Sequence, residues 1–206
     1  LRIFAAMDFP AEVRTEIRAW QEIAKRLHSG IRWVESGQSH LTLRFLGNVG
    51  PESVDAMSAI LDSWTPGPLP FSLESIGSFG GGGRPAVYWL GCAVPEPVRL
   101  LARSLGMVPD DRGRIHGGTF VPHITVGRTT AKPPAGPPSR PDPGSANPST
   151  EGRLEFPDPP QVKGFFRTAA IYDSILTPGG PEYRTIQRFD ISRTHRVADD
   201  GQSDGR

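Results

Sequence analysis

Two segments of the chain repeat one short pattern, His40-Leu41-Thr42-Leu43 and His123-Ile124-Thr125-Val126. Each reads His–apolar–Thr–apolar in a strand-like setting. Alternate residues of a strand point to the same face. His40 and Thr42 therefore share one face, and Leu41 and Leu43 the other; His123 and Thr125 divide from Ile124 and Val126 in the same way. Each strand can bury its aliphatic side and present an imidazole with a hydroxyl on the opposite side.

The approach to each copy repeats as well. Val13, Ile17, Trp20, Ala24 and Leu27 recur at helical spacing and predict an amphipathic helix over 10–28, ahead of His40. Val98, Leu101 and Leu105 predict another over 96–107, ahead of His123. A helix, an irregular stretch and an H-x-T strand thus occur twice, which implies two related lobes. Packed about a pseudo-twofold axis, those lobes would set the two strands across a cleft.

A further helix is expected over 51–64, with Val54, Met57, Leu61 and Trp64 on one face. Strands are expected at 1–7, 32–34, 40–46, 71–76, 86–92, 121–128, 165–176 and 183–191, with Gly80 to Gly83 as a hairpin tip. Many strands with only three helices predict an α+β (mixed α/β) fold of antiparallel-rich sheets with flanking helices. No G-x-G-x-x-G follows a strand and opens a helix, so a dinucleotide fingerprint is absent. Residues 1–192 read as a single bilobal domain. Ten prolines fall within 130–160 among Gly, Ser and charged residues, a composition that cannot offset its ordering entropy by burial. That insertion and the polar tail 193–206 are expected to be disordered.

The cleft would hold two imidazoles, two hydroxyls and no evident acid. Histidine titrates near neutrality, so one member can be a base while the other is an acid. The threonine hydroxyls can donate to phosphate oxygens whose charge grows as phosphorus becomes five-coordinate. Opening a cyclic phosphodiester needs those four functions. Zinc takes three or four protein ligands at spacings such as H-x-x-x-H or C-x-x-C, and neither occurs; His116 and Cys92 could join only by assumption. No metal and no cofactor are expected.

Charge sharpens this reading. A formal net charge of +1 supplies no general field for an anion, so a local pocket must hold it. The single cysteine, Cys92, excludes an intrachain disulfide framework and, beside Val87, Trp89 and Leu90, reads as a buried structural thiol. No apolar run approaches the roughly 20 residues of a membrane span, and no signal-peptide pattern opens the chain. A cytoplasmic enzyme without membrane contact is expected, working as a monomer.

These residues resemble the 2H phosphoesterase superfamily, named for its paired H-x-T/S-x motifs, and within it the bacterial and archaeal RNA 2′,3′-cyclic phosphodiesterases, also called 2′-5′ RNA ligases. The resemblance extends to Arg2-Ile3-Phe4-Ala5-Ala6 with Asp8-Phe9-Pro10, to Arg32-Trp33-Val34, to Arg44-Phe45-Leu46-Gly47 and to Arg84-Pro85 before Val87-Tyr88-Trp89-Leu90-Gly91. It also takes in Phe120-Val121-Pro122 and the segment Leu176 to Pro181 with Tyr183. It implies a bilobal fold with both motifs in a central cleft and opening of the cyclic phosphate to a 2′-phosphomonoester. In that direction the 3′ oxygen leaves; the resemblance makes His40 the proton donor and His123 the proton acceptor. The insertion at 130–160 is longer than the family's usual connection, which bears on substrate range.

Arg44 would share the face of Thr42 in a regular strand and contact a phosphate or flanking nucleotide. Arg128 has the wrong parity from His123 unless Gly127 marks a bulge. Trp33, Phe45 and Tyr172 are candidates to stack on a base, although strand aromatics more often fill cores. His28, at a helix end, reads as structural, and His116 and His195 as exposed. Expected ligands are RNA with 2′,3′-cyclic phosphate ends or small cyclic nucleotides. Other readings are 2′-5′ ligation by the reverse reaction, cleavage of 2′-5′ oligonucleotides, and a non-catalytic RNA-end binding module. The presence of all four motif residues weighs against the last.

Overall fold

The computed structural model describes residues 1–80, 86–115, 118–129, 155–178 and 180–192. The expected insertion lies mostly outside these residues, as do the tail 193–206, the tip residues 81–85, and His116 and His195. Among the described residues nine strands and three α-helices follow in the order β1 (Arg2–Asp8), α1 (Ala11–Leu27), β2 (Arg32–Trp33), β3 (His40–Asn48), α2 (Pro51–Asp62), β4 (Leu69–Phe79), β5 (Val87–Ala93), α3 (Glu96–Gly106), β6 (His123–Arg128), β7 (Lys163–Phe166), β8 (Thr168–Thr177) and β9 (Gly180–Asp190).

The strands form two sheets, β3-β1-β8-β9 and β2-β6-β5-β4-β7, and every pairing is antiparallel. This is the α+β class expected from the sequence. The first motif strand, β3, is an edge of the four-stranded sheet, the second, β6, belongs to the five-stranded sheet, and the two come against each other. All three helices fall where periodicity predicts them. Val13, Ile17, Trp20 and Ala24 of α1 are buried, and so are Val98, Leu101 and Leu105 of α3. Leu27 is the exception; at 59% exposure it lies outside the buried stripe. Pro51 opens α2, where its missing N–H costs no intrahelical bond.

One expected strand proves to be two. The stretch 165–176 divides at Arg167, with β7 pairing β4 in one sheet and β8 pairing β1 and β9 in the other. The Arg167 carbonyl accepts the Ile191 N–H at this crossing. Phe165 and Phe166 on one side of Arg167 and Ala169 to Tyr172 on the other read as one apolar strand, with no Gly or Pro to punctuate the switch.

The main core fills the space between sheets and helices with Ile3, Met7, Leu41, Leu61, Leu90, Ile124 and their neighbours. A smaller cluster of Phe4, Ala6, Ala170 and Tyr172, with Tyr183 against it, covers the other face of the four-stranded sheet. That second face is where the His40 ring lies, 4.9 Å from the Phe4 ring.

Candidate active site

Burial along both motif strands follows the parity argument. Leu41, Leu43, Ile124 and Val126 are buried, whereas His40, Thr42, His123 and Thr125 are partly open. The strands also share an irregularity. Along β3 the register to β1 steps from Thr42 to Arg44, leaving Leu43 as an extra residue; along β6 the register to β5 steps from Thr125 to Gly127, leaving Val126 extra. Each bulge follows the motif threonine directly and reverses the parity beyond it. The residue five places past each histidine, Phe45 or Arg128, therefore turns onto the threonine face.

A cavity of about 390 Å³ opens between the two strands. His40, Thr42, Thr125 and Arg128 all line it, so residues from the two motifs are brought together. His123 stands beside Thr125 on the same face, outside the immediate lining, yet near enough that its charge disfavours protonation of His40. Arg128 enters because the bulge re-aims it, the condition set by the sequence. Arg44 does not line the cavity. Its guanidinium is influenced by Asp110, beyond the end of α3, and Phe45 takes the place expected for it.

The imidazoles are held alike. His40 Nδ1 lies 2.7 Å from the Gln38 carbonyl, and His123 Nδ1 lies 2.7 Å from the Val121 carbonyl. A carbonyl only accepts, so Nδ1 carries the proton in both rings and donates it. Each neutral ring thus keeps Nε2 as its basic atom, and each imidazolium an Nε2–H as its acid. Burial is the leading cause that lowers both pKa values below the ordinary histidine value, opposed in each case by that carbonyl bond. Asp8 favours protonation of His40 in addition, and Arg128 opposes protonation of His123. The surroundings differ too: His40 packs against Phe4 and Tyr183, and His123 meets Phe79 edge-on at 4.9 Å.

Several lining residues were not singled out from sequence. Phe4 and Arg2 belong to a strand that reads as core throughout, yet alternate positions of β1 face the cavity. Tyr183 reaches it from β9, and Gln38 through the short turn that supplies the carbonyl to His40. Of the aromatic candidates, Phe45 lines the cavity, Trp33 packs near Trp20 and Phe156, and Tyr172 is buried with its hydroxyl donating to Asp8. Cys92 is buried and its thiol is pushed up to about 12, chiefly by burial, which leaves it un-ionised.

Among the described residues the lining contains no carboxylate and no thiol. Among the described residues no group of three or more His, Cys, Asp or Glu side chains is arranged to hold a metal, and no helix is long and apolar enough to cross a membrane. Chemically, the arrangement offers the His40 imidazole with that of His123 beside it, the motif hydroxyls of Thr42 and Thr125, and the guanidiniums of Arg2 and Arg128 around one cavity.

Comparison with known proteins finds relatives in both sequence and fold. The family model of LigT-like phosphoesterases matches residues 8–89. A protein of Archaeoglobus fulgidus named RNA 2′,3′-cyclic phosphodiesterase is 31% identical over 192 residues, covering 92% of this chain and 100% of the relative. A crystal structure from Thermus thermophilus superposes with a TM-score of 0.72 at 25% identity, covering 95% of this chain and 100% of that one. Escherichia coli LigT complexed with 3′-AMP gives a TM-score of 0.66 at 25% identity, covering 93% and 98%.

Proposed function

The chain belongs to the LigT-like phosphoesterases and is a phosphodiesterase, and from that membership we propose that it hydrolyses the 2′,3′-cyclic phosphate ends of RNA to 2′-phosphomonoesters by metal-independent acid–base catalysis. The observation that carries the reading is the paired restraint of His40 and His123, each with Nδ1 spent on the carbonyl two residues earlier. Both Nε2 atoms are thereby free for proton transfer. In the proposed reaction His123 removes a proton from water, which attacks phosphorus, while His40 gives a proton to the departing 3′ oxygen. Thr42 and Thr125 donate to the non-bridging oxygens, and Arg128 offsets the phosphate charge.

The donor set supports the absence of a metal from the reaction. Two histidines, with no carboxylate or thiolate among the described lining residues, fall short of the three or four ligands that zinc takes. An adenosine 3′-phosphate bound to the Escherichia coli relative fits a nucleoside phosphate as the ligand class. We take the enzyme to be a cytoplasmic monomer, a setting suited to one buried thiol.

The test is hydrolysis of a 2′,3′-cyclic-phosphate oligonucleotide in excess EDTA, with the product isomer identified. Turnover to the 2′-phosphate that falls at least about a hundredfold in His40→Ala and in His123→Ala is expected. Activity abolished by EDTA and restored by Zn²⁺ would overturn the metal-free mechanism. Full activity in either folded histidine variant would overturn the pairing.

A further inference from the structure

We propose that the Arg2 guanidinium, seated on the Phe45 ring, forms a second phosphate subsite that takes the internucleotide phosphodiester next to the terminal nucleotide. The enzyme then selects RNA ends over mononucleotide 2′,3′-cyclic phosphates. This rests on the functional reading above and extends it to the substrate's size.

The two halves of the cavity are matched position by position. Five residues past His123, beyond its bulge, stands Arg128; five past His40, beyond the equivalent bulge, stands Phe45. Phe45 brings no charge, but it carries one. The Arg2 guanidinium lies over its ring, 4.7 Å from the centroid, and Nη1 donates to Ser174 Oγ at 3.1 Å. The first half therefore presents an arginine borrowed from β1 where the second half has its own. Both guanidiniums act electrostatically on Tyr183, which lines the cavity with them.

Arg2 is not consumed by a local acid. The nearby Asp173 accepts the Arg2 backbone N–H, while its other oxygen pairs with Arg184 at 3.2 Å. Among the described residues Arg2 and Arg128 have no carboxylate within ion-pair distance, whereas Arg14, Arg114, Arg184 and Arg188 each have one. A cyclic phosphate end carries one negative charge, and a cavity whose described lining has two guanidiniums and no acid accommodates one more. The next anion along RNA is the phosphodiester on the 5′ side of the terminal nucleoside. Arg2 is also fixed before any ligand arrives, by its strand, by Ser174 and by the ring beneath it. Little side-chain entropy is then lost when phosphate binds, and the planar guanidinium retains donors for it.

The experiment compares kcat/KM for the dinucleotide ApA bearing a 2′,3′-cyclic phosphate, for the same dinucleotide with a neutral methylphosphonate linkage, and for adenosine 2′,3′-cyclic phosphate. The native dinucleotide is expected to exceed both others by roughly tenfold or more, the value of one charge-assisted contact. Arg2→Gln should bring the native and methylphosphonate dinucleotides within about twofold of each other, through a higher KM for the native one. Equal reaction of the two dinucleotides in the wild-type enzyme overturns the subsite, and so does a preference for the native linkage that survives Arg2→Gln. Absence of turnover for all three substrates overturns the functional reading, and the subsite with it.

Discussion

Asp8 and His40 are Cα partners at the end of the β1–β3 ladder, with Asp8 buried behind the ring that the cavity exposes. The Asp8 carboxylate accepts the Tyr172 hydroxyl and pairs with Arg188 at 3.2 Å and Arg14 at 3.9 Å. Its charge favours the imidazolium of His40, while Arg14 and His123 oppose it. Asp8→Asn removes the favourable charge and keeps the shape. The alkaline limb of the bell-shaped pH–rate profile, set by loss of the acid's proton, should move to lower pH. Activity should then fall more at pH 8 than at pH 6. An unmoved alkaline limb in a folded variant would separate Asp8 from the acid.

The same burial makes stability depend on pH. Both histidines have native pKa values lowered from about 6.5 in the unfolded chain, so below that pH the unfolded state binds more protons. Their contribution is complete above pH 6.5 and is lost as pH falls through the native values. Urea unfolding at pH 7.5, 6.5 and 5.5 should show the loss between the last two. The His40→Gln, His123→Gln double variant should lose less over that interval; an equal loss would assign the effect to other groups.

Parity separates chemistry from packing along each motif strand. Thr42→Val and Thr125→Val keep strand shape and delete a donor on the cavity face. Each should lower kcat/KM by on the order of 10–1,000-fold with little change in Tm. Leu41 and Ile124 are fully buried one residue away, and their alanine variants should cost about 2–5 kcal/mol of stability. Valine variants that melt early yet keep their activity would reverse the assignment.

The motif faces, the helices and the α+β class were legible because each rests on a local period. The bulge at Leu43 was not, since an extra strand residue leaves no fixed composition; the one before Gly127 was legible only as a condition, and the two decide which cation reaches the cavity. Strand parity put Arg44 beside Thr42; the extra residue Leu43 gives that face to Phe45 instead. Arg128, placed on the wrong face by parity alone, is returned to the cavity by Val126. The sheet switch at Arg167 was hidden for a related reason, because apolar residues flank it on both sides with no Gly or Pro between β7 and β8.

That exchange is measurable. Phe45→Ala withdraws the ring beneath Arg2 and should raise KM for a cyclic-phosphate dinucleotide by about tenfold, comparable to one charge-assisted contact. Arg44→Gln, which alters a side chain outside the cavity lining, should change that KM by less than about twofold. The opposite ranking would restore Arg44 to the cavity.

The bulge that aims Arg128 is held from two sides. The Val126 carbonyl accepts both the Val34 N–H at 3.0 Å and Nε2 of the buried Gln21 at 3.2 Å. The next residue, Gly127, leaves no room for a side chain, because a Cβ there would lie 2.5 Å from Cγ2 of the buried Ile31. Gly127→Ala should therefore cost about 1–3 kcal/mol through overpacking and raise KM as Arg128 is displaced. Ile31→Ala removes the opposing methyl. In that background Gly127→Ala should cost less than in the wild-type protein, a coupling read from a double-mutant cycle on Tm and KM. Strictly additive effects would mean that the glycine is not required by this contact.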